Sequence, residues 1–388
     1  MKILIFSPPL NSGGASSAFL NMMKSVLPTA SVHLITHIPE DIRADSPELA
    51  EITTTNLPYM NRYRYFISMT RLLKHRQARI ETDFDYLWVQ TWDGYCLQFT
   101  NNLKIATIIT HHNRTDFYRF NRELGWILSP LDYLSQFSRY YLNAKMINSA
   151  QLVIYHAMST YVADGIRRVS NQEIEYFILP NAYIKDDQQM VEEVNPINIP
   201  DDKIVIITSG YVPRKGIHRI IHAVGSKEIS IDDIIIIVFG GPSSLISRVY
   251  FTYLKHLTQK LQLEDHIYFL GYISSSEKRS LLKRADFFWE ASYSEAHSLA
   301  PIEASIYDTS IISTGVGGTL EFLDQAIPYQ FKSSDKIEYL LDKLHADLKF
   351  PEYNQLTWSE WGQQFVEEIQ RYFSGESMSK DGKLKRKA

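Results

Sequence analysis

The chain has 388 residues, of which 45% are hydrophobic and 22% charged, with a net charge of −4 and a single cysteine, Cys96. That length allows two domains of ordinary size, and that composition allows each a packed core. An internal disulfide and a cysteine-held metal centre are excluded, and the acidic balance argues against nucleic acid as a partner.

The charge is unevenly shared. Residues 1–185 hold 18 Lys+Arg and 15 Asp+Glu, hence +3, and residues 186–388 hold 22 and 29, hence −7. The more basic first half permits an anionic partner, such as a lipid surface. The apolar run Lys2 to Leu10 is too short for a signal peptide, and no stretch approaches a membrane span, so the expected location is cytoplasmic.

Taken in order, Lys2 to Ser7 reads as a buried strand. Gly13 and Gly14 close a turn, and Ala18, Phe19, Met22, Met23 and Val26 then recur at helical spacing. Strand, glycine turn and helix open many nucleotide-handling folds, although a Gly-Gly pair is more commonly a plain turn. Val32 to Thr36 is a second strand. From Ile52 to Ile80 there is no acid, while Arg62, Arg64, Arg71, Lys74, Arg76 and Arg79 alternate with Tyr59, Tyr63, Tyr65 and Phe66. Two readings stand: a solvated helix face, or an interfacial helix on anionic lipid through residues 59–79.

Asp85 to Gln90 and Lys104 to Thr110 are strands, the second running into His111 and His112. Strand ends in an open α/β sheet face the ligand crevice, so an imidazole here is a site candidate or a plain loop histidine. The aromatic stretch Thr115 to Ile147 reads as two helices. Gln151 to Tyr155 is a strand, Ser159 to Val169 a helix, and residues 186–202, with Pro196 and Pro200, a linker.

The alternation then restarts. Ile204 to Thr208 is a strand, followed by the loop Gly210 to Gly216 with Arg214 and Lys215. Ile234 to Phe239 is a fully buried strand ending in Gly240 and Gly241. Ile246 to Leu261 is a helix, and Ile267 to Leu270 a strand ending in Gly271 and Tyr272. Ser274 to Ala285 is a helix with Glu277 completing a Ser-capped start. Phe287 to Trp289 is a buried strand end, Ser292 to Ser298 a polar loop, and Pro301 marks a first helical turn with Ser298 as N-cap. Such a helix start offers free N–H groups to phosphate at Ser298 and Leu299. Glu295 and Glu303 bracket it, eight positions apart. Each has a bland reading, a solvated loop acid and a first-turn acid favoured by the helix dipole, and a functional one, acceptors for sugar hydroxyls. Further helices are read at Lys336 to Leu348 and Trp358 to Phe373, before a polar basic tail.

From Trp289 to Glu321 the chain resembles the E-x7-E signature region of retaining glycosyltransferase family four. The signature helix, a short strand at Thr309 to Thr314, and the Gly317–Gly318 turn follow in that family's order. The resemblance implies a GT-B fold, two Rossmann-like doubly wound α/β domains facing across a cleft. The expected bounds are an acceptor-side domain at 1–185, a donor domain at 203–355, a helix at 356–374 crossing back to the first domain, and a tail at 375–388 without structure. It implies a nucleotide-diphospho-sugar donor, with UDP or GDP as nucleotide. Lys215, helped by Arg214, would neutralise the diphosphate, with Gly13, Gly14, Gly210, Gly240, Ser298 and Leu299 lining it. Tyr272 would lie at the base, Glu303 on the ribose, Glu295 on the transferred sugar, and His112 near the reacting centre, with His111 as the alternative register. Three departures stand out. Tyr211 takes the place of the family's arginine, Ala296–His297–Ser298 that of Gly-Phe-Gly, and Ala182 that of a glycine.

The expected function is therefore retaining transfer of a hexose or N-acetylhexosamine to a glycan, lipid-linked or protein acceptor, without metal or other cofactor. The alternatives are a GT-B sugar-nucleotide 2-epimerase and a non-catalytic partner subunit. The expected place is the cytoplasm or the inner face of a membrane.

Overall fold

The computed structural model describes residues 1–7, 14–38, 40, 52–56, 62–90, 104–111, 153–170, 173–182, 196–225, 232–242, 244–307, 309–321, 327–328, 356–374, 376–378 and 384–386, with single helical positions between 130 and 147. The candidates Gly13 and His112, most of the aromatic stretch 115–147, and the expected helix 336–348 lie outside these residues.

The chain divides into two compact units. The first holds a seven-stranded parallel sheet in the order β3-β2-β1-β4-β5-β6-β7. Its strands are β1 (Lys2–Phe6), β2 (Ser31–Thr36), β3 (Thr53–Asn56), β4 (Tyr86–Gln90), β5 (Ala106–His111), β6 (Val153–Ala157) and β7 (Glu175–Ile178). Helices α1 (Gly14–Val26), α2 (Arg62–Asp83) and α3 (Thr160–Val169) alternate with them. The strands are nearly continuous apolar runs, as burial on both faces of a parallel sheet requires. Ile3, Leu4, Ile5, Phe6, Leu87, Trp88, Val89, Ile108 and Ile109 are buried.

The final long helix, which we label α8 (Trp358–Phe373), belongs to this same unit although the second unit precedes it in sequence. Trp361, Phe365 and Ile369 are buried at intervals of four residues, the stripe one helix face presents. Phe365 lies 4.4 Å from Trp88 between ring centroids, and Trp361 Nε1 donates to the Pro180 carbonyl at 2.9 Å. Gly362 lets α8 approach α1: a Cβ there would run into the Ser25 carbonyl oxygen. Beyond it, where sequence led us to expect a tail without structure, β14 (Glu376–Met378) and β15 (Leu384–Arg386) pair antiparallel.

The second unit holds a six-stranded parallel sheet in the order β10-β9-β8-β11-β12-β13. These are β8 (Ile204–Ser209), β9 (Ile234–Phe239), β10 (Ile267–Gly271), β11 (Phe287–Glu290), β12 (Ser310–Ser313) and β13 (Ile327–Pro328). Its helices are α4 (Ile217–Val224), α5 (Leu245–Lys260), α6 (Ser275–Arg284) and α7 (Leu299–Ser305). β9 is buried along its whole length, and the isoleucines of β8 and β9 separate two cores, one on each face of the sheet. The Ser274–Glu277 capping box read from sequence starts α6.

The strand order reverses between β8 and β11. In an open α/β sheet such a reversal lets the loops at the carboxyl ends of the two strands part and form a crevice. The loops that follow β8 and β11 are Gly210 to Gly216 and Ala291 to Ser298, the two stretches singled out from sequence.

Because a side chain at position 362 has no space against α1, Gly362→Ala should lower stability by about 1–3 kcal/mol. Chemical denaturation monitored by tryptophan fluorescence would measure it.

Candidate functional site

The two loops are packed backbone to backbone. Gly216, at φ +69°, takes a left-handed conformation that favours glycine, and a Cβ on it would meet the Ala291 carbonyl oxygen. The Tyr293 N–H donates to the Arg214 carbonyl at 2.8 Å. Arg214 Nη1 in turn donates to the Ser294 carbonyl at 2.6 Å. Tyr293 is pinned from below by a buried histidine: His218 Nδ1 lies 2.8 Å from the Tyr250 hydroxyl and Nε2 lies 3.0 Å from the Tyr293 hydroxyl. The Arg219 guanidinium sits 4.5 Å from the centre of the Tyr293 ring.

At the centre is Glu295, only 5% exposed. Three groups converge on its Oε1: Ser292 Oγ at 2.7 Å, Arg214 Nη1 at 2.8 Å and Lys215 Nζ at 2.9 Å. Burial by itself would raise this carboxyl; Arg214 and Lys215 reverse that and bring it down to about 2. Its backbone is fixed as well. Gly318 N–H donates to the Glu295 carbonyl at 2.9 Å, and Gly317, at φ +67°, lies where any Cβ would strike that same carbonyl. The solvated-loop reading of Glu295 is thus wrong: it is a buried ion-pair centre.

Other expected residues fall around this cluster. Gly210 (φ +91°) leaves room for the Lys215 side chain, whose Cγ would lie 3.2 Å from a Cβ, and Gly240 (φ +109°) packs on Gly210. Tyr272 is exposed, with its ring over Gly241. Ser298 occupies the N-cap of α7 and is buried, but its side chain makes no capping hydrogen bond. Leu299 begins the helix. Glu303 is held by Lys278 of α6, whose Nζ lies 3.0 Å from each carboxylate oxygen. Gly14 is the first residue of α1. His111, the alternative histidine, ends β5 fully buried with its ring 5.7 Å from that of Tyr155.

Two departures noted in the sequence acquire a physical account. Tyr211 is a core residue: its ring packs on Phe251 and Phe269, and its hydroxyl donates to the Val238 carbonyl at 2.7 Å. It points no group at the loop crevice, and the guanidinium beside Lys215 comes from Arg214 instead. His297 is buried, and that burial lowers its imidazole to about 3, so it is neutral. Sequence reading missed His218, Tyr293, Lys278 and Glu290. An acid ending the apolar run Phe287 to Trp289 was the available signal for Glu290; nothing in the sequence marked the others.

Residues 190–353 match the family model described as "Glycosyl transferases group 1". Among curated proteins, the chain is 26% identical over 260 residues to the alpha-monoglucosyldiacylglycerol synthase of Streptococcus pneumoniae, covering 65% of this chain and 55% of that protein. It is 27% identical over 161 residues to one of the subunits of the human phosphatidylinositol N-acetylglucosaminyltransferase, covering 41% of this chain and 31% of that one. The matches thus span about half or less of these relatives' lengths. Among solved structures, sucrose-phosphate synthase from Thermosynechococcus elongatus superposes with a TM-score of 0.73 at 15% identity, over 96% of this chain and 99% of that one. Anabaena HepE in complex with UDP and glucose does so with a TM-score of 0.68 at 15% identity, over 95% and 99%.

Glu295→Gln should destabilise the protein by about 1–3 kcal/mol near neutral pH, since two cations lose their counter-charge in a buried place. With the folded carboxyl depressed to about 2, the stabilisation is present above the normal carboxylate range and is lost as pH falls through that low value. Melting curves of parent and variant should therefore converge as the solution is acidified.

With a six-stranded parallel sheet whose reversal point carries this Arg-Lys-Glu cluster, and with the matches above, the chain has a GT-B fold whose residues 190–353 resemble the glycosyl transferases group 1 family.

Proposed function

We propose that the chain is a retaining glycosyltransferase that moves a hexose or N-acetylhexosamine from a nucleotide-diphospho-sugar, with UDP or GDP as the nucleotide, to a lipid-linked acceptor. The observation that carries the donor reading is the pairing of Arg214 and Lys215 on Glu295 at the β8–β11 reversal. Two fixed cations side by side suit a diphosphate. The Lys215 ammonium has three N–H groups, and its ion pair with Glu295 is made at one carboxylate oxygen. Both side chains also remain about a quarter to a fifth exposed, at 26% and 20%, enough for a phosphate to reach them.

Charge builds on the leaving phosphate oxygen as the glycosidic bond breaks. Cations fixed in place before the reaction lower that barrier without reorganising. In this reading Arg214 and Lys215 do so without a metal, aided by N–H groups at Ser298 and Leu299. Glu295 meets the hydroxyls of the transferred sugar in this reading. Glu303 takes the ribose hydroxyls, sharing its carboxylate with Lys278. Retention would follow attack on the face from which the nucleotide leaves.

A lipid acceptor is supported by two observations. Both curated relatives described above carry a glycerolipid or phosphatidylinositol in their names. In addition, α2 buries Met69, Leu73 and Ile80 while exposing Arg71, Lys74, Arg76 and Arg79. Arg79 is partly offset by Asp83 at 3.0 Å. Each basic residue at an anionic surface contributes about 1 kcal/mol.

Lys215→Ala should weaken binding of UDP or GDP and slow transfer. If Arg214 shares the diphosphate, the double variant with Arg214→Ala should be weaker still; a double variant equal to Lys215→Ala removes Arg214 from the site. Purified chain incubated with labelled UDP- and GDP-hexoses and diacylglycerol or phosphatidylinositol vesicles should form glycolipid, with or without EDTA. Binding without transfer would favour the non-catalytic partner, and sugar-nucleotide conversion without acceptor the 2-epimerase. Co-sedimentation with anionic vesicles should exceed that with neutral ones and fall with salt. Equal partitioning to both, or no loss when Arg71, Lys74 and Arg76 become Gln, would count against the membrane seat.

A further inference from the structure

Strand β11 ends on an acid that the reaction above does not use. Glu290 is 3% exposed. Its neighbour in register on β12 is Ser313, whose Oγ donates to Glu290 Oε2 at 2.8 Å and accepts the Gly315 N–H at 3.0 Å. Oε1 meets no hydrogen-bond donor among the described residues. The charged groups facing the carboxyl are Glu295 from the following loop and Lys215 from the β8 loop; the hydroxyls of Ser313 and Thr319 complete its surroundings.

The two acids are not equivalent. Glu295 has Arg214, Lys215 and Ser292 all on one oxygen, whereas Glu290 forms no ion pair with Lys215 and is met by hydroxyls alone, those of Ser313 and Thr319. If both were ionised, Arg214, Lys215, Glu290 and Glu295 would together carry no net charge, in a place that is to receive a diphosphate. If only Glu295 is ionised, one positive charge is left over. Burial and then the charge of Glu295 push the Glu290 carboxyl upward, which agrees with the second state.

We propose that Glu290 sets the charge of the donor site: it stands there as a neutral acid, leaves Arg214 and Lys215 one positive charge in excess over Glu295, and can ionise only at the expense of diphosphate binding. This rests on reading the site as a diphosphate site. Glu290 makes and breaks no bond with substrate; it acts through Lys215 and Glu295. A buried acid beside an anion-binding pair couples ligand affinity to pH, because a bound diphosphate strengthens the hold on the proton.

The test compares the parent with Glu290→Gln, which keeps the shape of the neutral acid but cannot ionise. Affinity for UDP and GDP is measured calorimetrically from about pH 5 to about pH 9, a range spanning raised carboxylate titrations. The terminal phosphate of the nucleotide titrates within that range too, but equally for both proteins, so the ratio of affinities is the readout. Near the acid end the two proteins should bind alike. Toward the alkaline end the parent should become weaker than the variant on the order of tenfold.

A second readout needs no ligand. The folded parent keeps a proton that the unfolded chain releases above the normal carboxylate range, so its stability falls as pH rises until the raised titration is passed. Glu290→Gln lacks that loss, and the difference in Tm should widen in its favour with pH. An affinity ratio and a Tm difference that both stay constant across the range overturn the proposal. A parent that binds neither nucleotide at any pH, while Lys215→Ala changes nothing, overturns the donor reading itself and this inference with it.

Discussion

The two loops at the reversal of the second sheet are organised around one buried carboxylate. Glu295 draws Arg214 and Lys215, from the loop after β8, onto a loop that follows β11. Two loops that part at a sheet reversal have no strand hydrogen bonds to hold them. Here the ion pairs, the Tyr293 to Arg214 backbone bond and the contact of Gly216 with Ala291 take that role. A buried ion pair is not by itself stabilising, because desolvation offsets most of the attraction. Its effect here is to fix two cations side by side at the carboxyl ends of β8 and β11.

Several features make that placement rigid from outside. Gly317 and Gly318 clamp the Glu295 backbone from the turn after β12. His218 bridges the hydroxyls of Tyr250 and Tyr293 from beneath, so the core of the second domain reaches the loop through polar contacts. Substitutions at His218 or Tyr250, remote from the crevice, therefore act on the same geometry as substitutions in the loop.

Much of this was legible in the sequence, for physical reasons. Apolar runs such as Ile234 to Phe239 read as fully buried parallel strands because sequence pattern and burial coincide there. The Ser274–Glu277 box and the stripe Trp361, Phe365, Ile369 were equally plain. The loops Gly210–Gly216 and Ser292–Ser298 were recognisable because they combine glycine, small polar residues and charge after a strand. What stayed hidden depended on contacts far apart in sequence. Tyr211 looked like a lost arginine until its hydroxyl was found on the Val238 carbonyl, 27 residues on. Glu295 could be read as a solvated acid or a sugar-binding one, since nothing local reveals that residues 80 and 81 positions earlier close over it. Nothing near Glu303 in sequence announced Lys278 of α6, whose Nζ meets both of its carboxylate oxygens.

The central claim, that this cluster receives the diphosphate of a nucleotide-sugar, is tested most directly by a crystal structure of the chain grown with UDP or GDP. The account predicts phosphate oxygens within about 3 Å of Lys215 Nζ, at the carboxyl ends of β8 and β11. A nucleotide bound elsewhere on the second domain, with Lys215 still turned wholly to Glu295, would contradict it.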